Sequence, residues 1–87
     1  MFFKHIYFME TAYLLINCDL GFEMEILDSL KHTNSVKEVH GTFGAYDLIA
    51  KIENHDRDKL REMIIYHIRK IQHVRSTLTL MAIPGQN

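Results

Sequence analysis

The chain is 87 residues long, 47% hydrophobic and 24% charged, with a formal net charge of −1. That leaves room for one domain with a buried core, and it excludes a disordered chain or a multidomain assembly. The first 43 residues carry three basic and six acidic groups and residues 44–87 carry seven and five, so neither half shows the basic stripe of a nucleic-acid surface.

The opening "MFFKHIYFME" is interrupted by Lys4, His5 and Glu10. It is too short and too broken for a signal peptide or a membrane span. We expect residues 1–9 to be a lead-in, with Met9 an alternative start. A single domain is expected over residues 10–84, followed by a tail, 85–87. The one cysteine, Cys18, allows no intramolecular disulfide and fits a reducing cytoplasm.

Residues Thr11–Cys18 read as a first strand by length and apolar content. "DLG" turns the chain at Asp19–Gly21. Phe22, Ile26, Leu27 and Leu30 then recur at helical spacing, with Glu23 and Glu25 in the first turn, where negative charge is favoured. "HTNS" (His32–Ser35) ends this helix. A second strand, Val36–Phe43, meets a third, Tyr46–Glu53, across a Gly44-Ala45 corner that reads as a hairpin. Asp56 caps a second helix whose apolar stripe is Leu60, Met63, Ile64, Ile68 and Ile71. Val74–Ile83 is the last strand.

This order, β-α-β-β-α-β, predicts an α+β, ferredoxin-like fold with a four-stranded antiparallel sheet and both helices on one face. Strand alternation places Leu14 and Ile16 on one face and Tyr13 and Leu15 on the other. It separates Leu48, Ala50 and Ile52 from Ile49 in the same way. The helices cover one face only. The other is expected to expose Tyr13, Leu15, Ile49, Met81 and Ile83 as one patch, covered by a second copy, sheet on sheet.

Chemistry-bearing groups are sparse. The six histidines show no metal-ligand spacing, so no metal or other cofactor is expected. Cys18 reads as a structural thiol. On the second helix Asp56, Asp58 and Glu62 alternate with Arg57, Lys59 and Arg61, which reads as a solvated, ion-paired face. Thr77 and Thr79 share a strand face, either for strand propensity or as hydroxyls for a polar ligand. Gly44 permits positive φ and close approach of a ligand. Asp47 can hold the hairpin backbone or receive an ammonium group, and the residues alone leave both open.

"G-x-Y-D-L" at Gly44–Leu48, "VRSTLT" at Val74–Thr79 and "GFEMEILDSLKHTNSVKEVH" between Gly21 and His40 together resemble the ligand-binding half of Lrp/AsnC transcription regulators, the RAM domain. The resemblance runs from about Ala12 to Ile83, without the helix-turn-helix that members usually carry. It implies a stand-alone, non-enzymatic domain that makes sheet-packed dimers, commonly joined into octamers. Amino-acid effectors would bind in clefts between dimers, at Gly44, Ala45, Tyr46, Asp47, Thr77 and Thr79. It also implies transcription control through full-length regulators of the family, with no direct nucleic-acid contact and no membrane. Ala45 departs from the family, since many members carry a polar or charged residue there. Two rivals remain: a structural interaction domain without ligand, and a small dimeric ferredoxin-like enzyme. For the enzyme no His-carboxylate or Cys-His arrangement offers assignable roles.

Overall fold

Residues 9–83 are described by a computed structural model. The expected lead-in, save Met9, and the expected tail lie outside these residues.

The alternation of Ala12, Leu14, Ile16 and Cys18 buries one side of β1 (Glu10–Cys18) completely. β3 (Leu48–Asn54) does the same with Leu48, Ala50 and Ile52. These two strands pair antiparallel at the centre of the sheet, with Leu14 opposite Ala50 and Ile16 opposite Leu48. β2 (Val36–Gly41) and β4 (Val74–Met81) form the edges, giving the order β2-β3-β1-β4. This is the ferredoxin-like arrangement that the element order predicts.

α1 (Glu23–Lys31) buries Ile26 and Leu30 against the sheet. α2 (Arg57–Tyr66) buries Leu60 and Ile64. Asp56 caps α2 as expected, its carboxylate accepting from the N–H groups of Asp58 and Lys59. The expected α-helix through Ile71 is shorter: it stops at Tyr66, and a 3-10 turn, Ile68–Lys70, carries the buried Ile68. Each fully buried Leu or Ile side chain contributes about 1.5–3 kcal/mol. Among the described residues the core is apolar except for Ser35.

Two expectations need correction. β2 and β3 do not meet across a two-residue corner. β2 ends at Gly41 and β3 begins at Leu48, leaving a six-residue loop, 42–47. It is closed by the Thr42 N–H donating to the Asp47 carbonyl at 2.9 Å and by the Thr42 hydroxyl donating to the Tyr46 carbonyl.

The faces of β4 are also exchanged. Met81 pairs with Ala12 and Thr79 with Leu14, so Met81, Thr79 and Thr77 lie on the helix-covered face. Met81 packs against the core, and Ile83 lies beyond the strand. Leu80 and Leu78 pair with Tyr13 and Leu15 and take the open face instead. Both parities of β4 carry apolar residues, so alternation within the strand does not choose between them and the register with β1 does.

Candidate functional site

The loop 42–47 is positioned by Asp47. Its N–H donates to the Ile16 carbonyl at 2.9 Å, and its Oδ2 accepts the Cys18 N–H at 2.9 Å. The carboxylate thus extends the ladder past the last β1–β3 pair, Ile16 with Leu48. Of the two roles open to Asp47 in the sequence, holding backbone is realised. Gly44 sits at φ 126°, a conformation closed to most side chains.

The same end of β1 is tied to β4 by Asp19. Its N–H donates to the His73 carbonyl at 2.9 Å, and its carboxylate meets His73 Nδ1 at 3.1 Å and Arg75 Nε at 3.8 Å. The His73 ring stacks on Phe22 with centroids 3.5 Å apart, and its backbone has φ 75°. In the sequence His73 is only one of six histidines without metal-ligand spacing. No local pattern reveals a partner 54 residues away.

Burial pushes the Cys18 thiol above its ordinary pKa, and the neighbouring Asp47 carboxylate adds to the shift. The thiol is therefore protonated at neutral pH, consistent with a structural role.

Three clefts follow β4, each sharing residues with the next. The first, about 400 Å³, is lined by Asn17, Cys18, Asp47, Arg75 and Ser76. The second, about 260 Å³, is lined by Arg69, Val74, Arg75, Ser76 and Thr77. The third, about 380 Å³, runs under α2 to Thr79 and Met81. The fold thus brings Asp47 to the last strand, but beside Ser76 and Arg75. Thr77 and Thr79 serve the other two clefts, and Gly44, Ala45 and Tyr46 line none of the three. Thr77 is engaged as well, its hydroxyl accepting from Arg69 Nε at 3.1 Å.

The first cleft joins opposite charges across polar neighbours. Asp47 can accept from an ammonium group, Arg75 can donate to a carboxylate, and Ser76 and Asn17 supply neutral donors and acceptors. Sequence reading missed Arg75, Ser76 and Asn17. The ion-paired face expected on α2 is absent among the described residues: no carboxylate comes within 4.0 Å of Arg57, Lys59 or Arg61. Four-residue steps there join like to like, Arg57 with Arg61 and Asp58 with Glu62.

The open sheet face carries Tyr13, Leu78 and Leu80 at 38%, 45% and 50% exposure, with Leu15 and Ile49 half-buried on the same face. Lys51 on the same face reaches Glu53 at 3.6 Å and Glu38 at 3.9 Å. Its charge is therefore compensated within the face.

Residues 11–84 match the Lrp/AsnC ligand binding domain. The crystal structure of FFRP-DM1 superposes with a TM-score of 0.83 at 35% identity, covering 85% of this chain and 99% of that one. E. coli AsnC superposes with a TM-score of 0.81 at 26% identity, covering 93% of this chain and 53% of that one. Homocitrate synthase of Saccharolobus solfataricus is 34% identical over 73 residues, 83% of this chain. The chain spans 16% of that enzyme's length.

Proposed function

The chain belongs to the Lrp/AsnC ligand binding domain family, and from that premise we propose that it is a non-enzymatic, cytoplasmic module that binds an amino acid and oligomerises, modulating transcription through Lrp/AsnC-type regulators. The observation that carries the reading is the cleft shared by Asp47 and Arg75. An amino acid presents an ammonium and a carboxylate at fixed separation, and this cleft holds one complement for each. The family motif enters through Asp47, with Gly44, Ala45 and Tyr46 shaping the loop and Thr77 and Thr79 lying farther along the strand. A second copy covers the open face through Tyr13, Leu15, Ile49, Leu78 and Leu80, and dimers joined into an octamer would enclose the clefts. Ligand binding then biases assembly, because a ligand favours the state it contacts most.

A thermal-shift screen against the common amino acids tests this. At ~100 times its dissociation constant a ligand adds about 2.7 kcal/mol, on the order of ten degrees or more for a domain of this size. Asp47→Asn should abolish the shift while keeping an acceptor for the Cys18 N–H. A full screen without a shift favours an interaction domain without ligand.

The synthase match supports a second reading of the partner. A stretch similar to this chain forms part of a larger enzyme, so the module could serve an enzyme in place of a DNA-binding regulator. Affinity capture followed by identification of the bound chain distinguishes the two. Recovery of a helix-turn-helix protein supports the regulator, and recovery of an enzyme supports the alternative.

A further inference from the structure

All four arginines of the chain line the clefts along β4. Three of them, Arg57, Arg61 and Arg69, share the third cleft with Ile64, Ile65, Thr79 and Met81. Arg57 and Arg61 stand one helical turn apart on α2, where like charges repel. Arg69 comes from the 3-10 turn, and its Nε donates to Thr77 at 3.1 Å, which leaves its terminal nitrogens free to serve the cleft. Among the described residues no carboxylate within 4.0 Å neutralises any of the three. The neighbouring acids of α2, Asp58 and Glu62, do not line the cleft.

Such an arrangement costs stability unless something negative occupies it. The geometry points to a second ligand site here, for a small dicarboxylate. Guanidinium forks match carboxylates in two-point geometry, and three of them converging favour a ligand with two anionic groups. Ile64, Ile65 and Met81 give the cleft an apolar floor, which suits a short carbon chain between the two carboxylates. Thr79 adds a hydroxyl, and a volume of about 380 Å³ is ample for a small metabolite. The site goes beyond the amino-acid cleft: it uses none of Asp47, Asn17, Ser76 or Arg75. Because the three arginines are exposed, its affinity falls as salt rises.

Isothermal titration of the whole chain with succinate and glutarate tests the site, with butyrate, inorganic phosphate and a neutral amino acid as comparisons. The dicarboxylates should bind, weaken about tenfold or more in Arg61→Gln, weaken again in high salt, and bind unchanged in Asp47→Asn. Arg57→Gln is a second variant on the same exposed face should Arg61→Gln fold poorly. No dicarboxylate binding at millimolar concentration overturns the proposal, as does equal binding by both arginine variants. Phosphate binding as tightly as the dicarboxylates overturns the ligand class. A neutral amino acid that binds when no dicarboxylate does also overturns it, and leaves the effector reading of the first cleft standing.

Discussion

Cys18 donates its backbone N–H to the carboxylate of Asp47 at 2.9 Å across 29 residues of chain. This bond ties the end of β1 to the loop before β3. It makes Asp47 a structural acceptor as well as a candidate ligand group, and substitutions can separate the roles.

Asp47→Asn retains an oxygen for the Cys18 N–H and should keep the unfolding midpoint close to that of the parent chain. Asp47→Ala leaves a half-buried donor without its partner and should cost about 1–3 kcal/mol. Urea denaturation of the two variants checks this. Equal midpoints for both would show that the bond contributes nothing to stability.

The open face and the core face of β4 respond differently to charge. Leu78→Asp should yield a monomer whose unfolding free energy, measured on the dissociated chain, is little changed. Ile49→Asp should dissociate the proposed dimer too, since either carboxylate would be buried between sheets. Met81→Asp acts on the core side and should destabilise the fold itself by about 2–4 kcal/mol. Sedimentation velocity with chemical denaturation reads both effects. A dimer that survives Leu78→Asp and Ile49→Asp places the interface elsewhere.

The raised pKa of Cys18 makes a pH prediction. Its contribution to stability is fully present below the unfolded thiol's pKa, about 8.5, and is lost as pH rises through the higher folded value. The parent chain should therefore lose stability above that pH more steeply than Cys18→Ala. Parallel alkaline profiles for the two proteins would mean that the thiol titrates alike in folded and unfolded chains.

Gly44 has φ 126°, and a Cβ added there meets nothing within 4 Å. Gly44→Ala therefore isolates the backbone cost, expected to be of order 1–3 kcal/mol. A melting temperature equal to that of the parent chain would show that the loop relaxes to another conformation without loss.

The local patterns were legible because each depends on near neighbours. The two-residue alternation of β1 and β3 identified Ala12, Leu14, Ile16, Leu48, Ala50 and Ile52 as one face, and all are buried. The three- and four-residue spacing of Leu60, Ile64 and Ile68 identified the core stripe of the second helical segment, and Asp56 its start. β4 resisted the same treatment. Leu78 and Leu80 occupy one parity, Thr77, Thr79 and Met81 the other, and apolar content does not rank them. On an edge strand a helix-side threonine can sit at a cleft mouth while leucines face outward, and here Thr79 does so.

The sequence by itself determined the element order, the Asp56 cap of α2 and the buried faces of the central strands, because periods of 2 and 3.6 residues are properties of the chain's own geometry. Only the tertiary structure decided which side chains share the candidate clefts. Asp47 meets Arg75 in one cleft, and Arg57, Arg61, Arg69 and Arg75, dispersed among acids and apolar residues along the chain, meet along a single edge. Both follow from the pairing of β4 with β1, strands separated by more than fifty residues, and charge order along a chain carries no record of which distant strands will lie side by side.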